Sequence, residues 1–296
     1  MKSEKNDILI SVIIPTYGRP KQLTRCLESL VKQSLKEPWE IIVVDDGSDL
    51  DLTSIIDCIN TSIPIRLYKQ INSGPAKARN KGAELARGKY LVFTDDDCKP
   101  IPNWLENHFL NLNEGVMTGG QTINGIEKNI YCATSQVLLD FLYLFLKDTK
   151  LYFFTSNNLA LSKTDFIEVG GFDESFTTSA GEDRAFCAKW LSSDKKMKYI
   201  GSAELNHYHD LNFKKLYRLH FKYGTAAVLL NAKMELMGIK NELPFMTFCL
   251  KLLSYAFKRK EYALWERVRL FFFLLVTQVA NLHGRLCQKF KRKTKL

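Results

Sequence analysis

No two of the seven cysteines, at positions 26, 58, 98, 132, 187, 249 and 287, stand in CxxC spacing, and their number is odd. A zinc ribbon, a thioredoxin-type centre and a closed set of disulfides are therefore not expected, and free thiols in a reducing cytosol are the economical reading. No G-x-G-x-x-G follows the first apolar segment, which disfavours a nicotinamide-dependent oxidoreductase. There is no internal repeat and no low-complexity linker apart from a basic tail. No uninterrupted apolar run approaches the ~20 residues that cross a bilayer; the densest is Leu270-Phe271-Phe272-Phe273-Leu274-Leu275-Val276. Residues 1–7 are polar and lead into a strand pattern, so no signal peptide is expected there.

Acidic groups at the ends of apolar runs are what the chain does have. Tyr90-Leu91-Val92-Phe93-Thr94 reads as a buried strand and runs into Asp95-Asp96-Asp97. Glu40-Ile41-Ile42-Val43-Val44 runs likewise into Asp45-Asp46-Gly47-Ser48, and the first strand, residues 9–14, stops at Pro15-Thr16-Tyr17-Gly18. A helical pattern over residues 21–34 separates the first two strands, which implies parallel strands joined by a right-handed crossover. All three strand ends then share the sheet edge where ligands bind in open α/β folds. Crowded carboxylates there either shift their pKa values or take a cation, and hard oxygens suit Mg²⁺ or Mn²⁺. Pro75 is placed for a first helical turn after Ser73-Gly74, offering N–H groups and Arg79 to an anion. A further helix opens at Gly181-Glu182-Asp183; its acids serve either as dipole partners or as a general base.

In this order the motifs Val12-Ile13-Ile14-Pro15-Thr16-Tyr17, Ile42-Val43-Val44-Asp45-Asp46-Gly47-Ser48, Gly74-Pro75-Ala76-Lys77-Ala78-Arg79-Asn80, Phe93-Thr94-Asp95-Asp96-Asp97, Gly170-Gly171-Phe172-Asp173-Glu174 and Gly181-Glu182-Asp183 resemble the inverting, family 2 glycosyltransferases of GT-A fold. The resemblance covers about residues 9–225; residues 120–155, on the acceptor side, match loosely. It implies an α/β fold with a Rossmann-like, mostly parallel sheet flanked by helices. It implies a nucleotide-sugar donor, most readily a UDP-sugar, and a divalent cation, Mn²⁺ or Mg²⁺. By the same resemblance Pro15, Thr16 and Tyr17 line the nucleoside pocket, Asp46 accepts a hydrogen bond from the base, and Arg79 holds the base or diphosphate. Asp95 or Asp96 faces the ribose, Asp97 the metal, and Asp183 is the catalytic base. His207 and His209 share one face if their segment is a strand. They are either a metal-side pair, as in relatives with a histidine after the catalytic helix, or a surface pair without a ligand; His209 is the favoured metal ligand. His108, His220 and His283 are expected on helix surfaces or membrane-facing segments.

Two rivals remain. A sugar-phosphate nucleotidyltransferase would want a Gly-rich basic loop after the first strand, where Pro15-Thr16-Tyr17-Gly18 stands. A non-catalytic glycan-binding or scaffold protein would not need Asp46, Asp95, Asp97 and Asp183 intact.

Charge divides the chain. Residues 211–296 carry 18 Lys and Arg against 4 acids, a surplus of +14; since the whole chain is +10, residues 1–210 carry −4. The reading is a glycosyltransferase domain over 1–225, donor half about 1–100 and acceptor half about 101–225, followed by a basic, apolar helical appendage over 226–296. Basic residues beside an apolar face place a helix in an anionic membrane interface, here the inner face of the cell membrane. The alternative is a helical pair packed on the domain or at a homodimer seam. No nucleic-acid recognition module accompanies the charge, so no nucleic-acid partner is expected. The apolar stretch 137–146 is either a core helix or a path for a lipid-linked acceptor. The acceptor is a glycan or lipid-linked hydroxyl, in surface-polysaccharide synthesis.

Overall fold

The computed structural model describes residues 8–239 and 245–293. The polar lead-in, residues 1–7, and the last three residues of the basic tail lie outside the described residues, as does the stretch 240–244 within the appendage. The elements are β1 (Ile10–Thr16), α1 (Pro20–Leu30), β2 (Trp39–Asp45), α2 (Thr53–Asp57), β3 (Ile65–Lys69), α3 (Pro75–Leu85), β4 (Tyr90–Phe93), β5 (Cys98–Pro100), α4 (Trp104–Phe109), β6 (Val116–Asn124), α5 (Ile130–Leu146), β7 (Leu159–Ser162), α6 (Lys163–Val169), α7 (Glu182–Ser192), β8 (Lys196–His207), α8 (Phe213–Leu236), α9 (Phe245–Lys258) and α10 (Leu264–Lys293). They form two compact units, residues 1–123 with 154–208 and residues 124–153 with 209–296. The boundary expected near residue 225 falls inside α8.

The first unit is built on an eight-stranded sheet in the order β3-β2-β1-β4-β7-β6-β8-β5. β1 pairs in parallel with both β2 and β4, and β2 with β3, while β7 joins β4 antiparallel. β1 and β2 are buried along their whole length, which is why they read as continuous apolar runs. In register, Thr16 faces Asp45 and Ile13 faces Phe93, so the three strands end on one edge. Beyond this parallel half, β5 pairs antiparallel with β8 and sets Cys98 opposite His207.

Two polar clusters are sealed into the first unit. Glu40 is fully buried and accepts from Ser11 Oγ (2.8 Å), Arg87 N (2.8 Å), Arg87 Nε (2.9 Å), one Arg87 terminal nitrogen (2.6 Å) and Arg66 (3.3 Å). Burial opposes its charge, but the bonds from Arg87, Ser11 and Arg66 prevail and hold the carboxyl below its ordinary range. The other cluster centres on Asn158. Its Oδ1 accepts from Trp104 Nε1 (2.8 Å) and lies 2.9 Å from His108 Nε2, while its Nδ2 donates to the carbonyls of Gln121 and Ala203 at 3.0 Å. His108, expected on a helix surface, is thus a core residue; burial lowers its pKa to about 4, keeping the ring neutral. His220, in the second unit, is likewise buried rather than exposed.

The second unit is helical. α8 and α10 cross backbone to backbone: a Cβ on Gly224 would lie 2.0 Å from Asn281 O, and one on Gly284 2.1 Å from Phe221 O. The stretch 137–146 lies in α5 and packs Val137, Leu138 and Phe141 with Leu252 of α9 and Leu270 and Leu274 of α10. Asp140, which interrupts that stretch, pairs with Arg259 at 2.9 Å. Uninterrupted run length understated α10. As a helix, residues 264–291 are long and apolar enough by length and composition to cross a membrane. One face of α10 is buried at Leu270, Leu274, Thr277 and Ala280, whereas Trp265, Val268, Phe272, Leu275, Val279, Leu282 and Leu286 stand exposed at alternating spacings of three and four.

Glu40→Gln should destabilise the protein by about 1–3 kcal/mol at pH 7, because it removes a charge from several buried hydrogen bonds. The folded pKa of Glu40 is lowered, so its contribution is present above the ordinary glutamate range and is lost as pH falls through the folded value. Urea titrations of both proteins at descending pH should show their stabilities converging. A constant gap would mean that the ionised carboxylate is not the source.

Candidate active site

Each candidate side chain in the first unit is delivered by the end of a strand or the start of a helix. Pro15 and Thr16 close β1; Thr16 is buried and donates from Oγ1 to Asp96 Oδ2 at 2.6 Å, while Tyr17 is 54% exposed. Gly47 follows the second acidic end with φ +88°, and a Cβ there would lie 2.7 Å from Asn72 N. That close turn brings residues 70–74 onto Asp46, whose Oδ1 accepts from Gln70 Nε2 (2.7 Å) and Ser73 N (2.8 Å) and whose Oδ2 accepts from Gly74 N (2.9 Å). Gly74, φ +92°, is the N-cap of α3, with Pro75 in its first turn as the sequence suggests.

From α3, two side chains stitch the site together. Arg79 is 3% exposed and places one terminal nitrogen 2.6 Å from Asp95 Oδ1 and the other 3.2 Å from Glu182 Oε1. Asn80 donates to Phe172 O (2.8 Å) and Glu174 Oε1 (3.0 Å) and accepts from Phe172 N (2.9 Å), fixing the loop that leads to α7. The 95–97 triplet, the start of α7 and the end of β1 are therefore brought together. Glu182, not singled out from Asp183 by the sequence, is buried and paired to Arg79. Burial and then the neighbouring Asp183 raise its pKa to about 7 against the pull of Arg79. Asp183 is half-buried and accepts from Arg184 N at 2.7 Å; burial raises its pKa, against the hydrogen bond and charge of Arg184.

The three aspartates have different partners. Asp95 faces Arg79. Asp96 meets Thr16 and, at 2.7 Å, Arg19; burial outweighs Arg19 and, helped by Asp97, lifts its pKa to about 7. Asp97 Oδ2 lies 2.9 Å from Arg19 and Oδ1 3.3 Å from His207 Nε2. Burial alone would lower the pKa of His207, but the hydrogen bond and charge of Asp97 raise it. His207 reaches Asp97 because the antiparallel β5–β8 pairing puts Cys98 opposite it. His209 lies beyond the strand and belongs to the second unit.

The donor atoms of Asp97, Cys98 and His207 lie within 4.8 Å of one another. A carboxylate with an imidazole fits a divalent cation such as Mn²⁺. The Cys98 thiol is buried and its pKa is pushed well up, so it stays protonated and offers no thiolate. Arg19 and Asn80 stand at this edge without having been singled out in the sequence, although Asn80 lies within a quoted motif; Glu182 and His207 were weighed there beside Asp183 and His209.

A family model described as Glycosyl transferase family 2 matches residues 11–170. The hyaluronan synthase of Pasteurella multocida is 28% identical over 223 residues, covering 63% of this chain and 23% of its own length. The chain thus spans about a quarter of that relative. Among solved structures, the mannosyltransferase PcManGT from Pyrobaculum calidifontis, in complex with GDP-Man and Mn²⁺, matches with a TM-score of 0.64 at 16% identity, covering 92% of this chain and 86% of that one. S. aureus TarS 1–349 in complex with UDP-GlcNAc matches at 0.59 and 15% identity, covering 97% and 92%. Such likenesses speak for the fold, and the GT-A fold expected from the motifs is borne out.

Arg79→Met should cost about 3–5 kcal/mol in urea unfolding, because it strands the buried Glu182 and the partly buried Asp95 without their counter-charge. Adding Glu182→Gln should restore part of that loss. Strictly additive costs, within about 0.5 kcal/mol, would mean that the two side chains do not act as a pair.

Proposed function

Because the matched family model spans more than half of its residues, the chain belongs to glycosyl transferase family 2, and we propose that it is a metal-dependent, inverting glycosyltransferase. It would transfer a sugar from a nucleotide-sugar, most readily a UDP-sugar, to a hydroxyl of a glycan or lipid-linked acceptor in surface-polysaccharide synthesis. The observation that carries this reading is the convergence of Asp46, the 95–97 aspartates and the start of α7 at one carboxyl edge of parallel strands.

Asp46 uses three acceptor positions on the 70–74 segment, and a carboxylate offers about four, leaving one for an N–H of the base. Pro15, Thr16 and Tyr17 form the neighbouring wall, and Asp95 or Asp96 faces the ribose. Arg79 acts on the donor by fixing Asp95 rather than by reaching out itself. Asp97 holds the cation, and His207 takes the part that the family resemblance gave to His209. When bound, a divalent cation neutralises the charge that builds on the leaving diphosphate. The acceptor hydroxyl is a weak nucleophile, and Asp183 takes its proton. A raised carboxylate pKa suits a base working near neutrality. Attack from the face opposite the diphosphate inverts the anomeric centre.

The second unit supplies attachment. Its helix α10 is packed along one face and bare along the other, with exposed basic residues such as Arg269, Lys289 and Lys291 beside the apolar stripe. A helix already packed on its neighbours suits peripheral contact with an anionic inner leaflet better than crossing it.

Asp183→Asn should lower turnover about 10²-fold or more while leaving UDP affinity unchanged; near-normal turnover, measured with any donor the enzyme accepts, would return Asp183 to a helix-capping role. For the attachment, Phe272→Glu with Val279→Glu should abolish co-sedimentation with phosphatidylglycerol vesicles without unfolding the unit, since both side chains are exposed. A wild-type protein that ignores vesicles and forms a dimer broken by the same pair of changes would place the stripe at a homodimer seam.

A further inference from the structure

Arg19 stands at the N-cap of α1, where its side chain makes no capping hydrogen bond. Small acceptors are preferred at that position, and a positive charge there opposes the helix dipole. Its guanidinium instead spans two adjacent carboxylates, 2.7 Å from Asp96 Oδ1 and 2.9 Å from Asp97 Oδ2. The preceding Gly18, at φ +64°, donates its N–H to Ser48 Oγ at 2.7 Å, which anchors the turn. The two aspartates are buried, whereas the Arg19 side chain is 43% exposed. The cation of this cluster is therefore the partner that reaches solvent.

Asp97 is also the carboxylate to which a divalent cation was assigned above, and the inference rests on that reading. Arg19 holds Asp97 Oδ2 while His207 faces Oδ1, and a guanidinium on one oxygen weakens the hold of the same carboxylate on a divalent cation. A planar guanidinium recognises phosphate as readily as carboxylate. We propose that Arg19 is an internal counter-ion that holds Asp97 until a nucleoside diphosphate draws its guanidinium away, so that metal and nucleotide bind in concert. Without nucleotide, the cluster would keep its own positive charge and have little use for a free cation.

The test is titration of Mn²⁺ into the full chain, following the free-ion electron paramagnetic resonance signal, with and without UDP. The wild type should take up Mn²⁺ weakly alone and at least about tenfold more tightly with UDP. Arg19→Gln should bind Mn²⁺ alone about tenfold more tightly than the wild type, the scale of a charged hydrogen bond removed, and should gain little from UDP. Circular dichroism should show the variant folded, since the Arg19 side chain is 43% exposed and a Gln amide can still donate to one of the two carboxylates. Mn²⁺ affinity in Arg19→Gln equal to or below that of the wild type, with UDP coupling intact, would overturn the role of Arg19 while leaving metal dependence standing. Absence of Mn²⁺ uptake by either protein, with or without UDP, would bring down the metal reading and the inference with it.

Discussion

The Arg79 guanidinium lies 2.6 Å from an Asp95 oxygen and 3.2 Å from a Glu182 oxygen, almost wholly out of solvent, and the placement of both carboxylates depends on it. A buried guanidinium without partners would be prohibitive, and a buried Glu182 beside a partly buried Asp95 without a cation would be costly. Each group makes the others tolerable. Since Arg79 belongs to α3, Asp95 to the end of β4 and Glu182 to α7, the ion cluster also fixes three separate segments against one another. Asn80, one residue on, adds neutral hydrogen bonds to the same α7-side loop.

The sheet explains why such an arrangement is reachable. Parallel strands in register deliver Thr16, Asp45 and Phe93 to a common edge, so the residues after them meet without long loops. Close backbone approach does the rest: Gly47 lets the 70–74 segment reach Asp46, and a Cβ on Gly74 would lie 2.7 Å from Thr177 O. At both positions φ is positive, so a side chain would be strained as well as crowded. The glycines in the Asp46-Gly47-Ser48 and Ser73-Gly74-Pro75 segments are thus geometric requirements of the edge.

What could be read in the sequence follows from this physics. Strands buried on both faces write themselves as unbroken apolar runs, so β1, β2 and β4 and the acidic ends of β2 and β4 were legible, as were α3 through Pro75 and α7 through its acidic first turn. Pairings between distant segments leave no such trace. That β5 sets Cys98 opposite His207 depends on antiparallel register across more than a hundred residues, so the nearness of His207 to Asp97 had no local signal. Arg19 was hidden for a related reason, since an arginine after a turn reads as solvated until its partners are known. His108 sits on a six-residue helix, too short for a reliable periodicity, and its burial rests on Asn158, fifty positions away. The reach of α10 was missed because polar interruptions at a helix face do not shorten the helix.

Three adjacent aspartates would repel one another if they shared one environment, and here they do not. A turn over residues 95–98, closed by Cys98 N on Asp95 O, sends Asp95 to Arg79, Asp96 inward to Thr16 and Asp97 toward His207, with Arg19 bridging the last two. Asp96 is the most deeply buried, and its pKa near 7 means that a proton relieves part of the repulsion when no added cation does. Five carboxylates crowd this edge, Asp95, Asp96, Asp97, Glu182 and Asp183, against Arg19, Arg79, Arg184 and a protonatable His207. The raised pKa values of Asp96, Glu182 and Asp183 are the cost of that crowding, which a buried Arg79 and a partly exposed Arg19 hold in place.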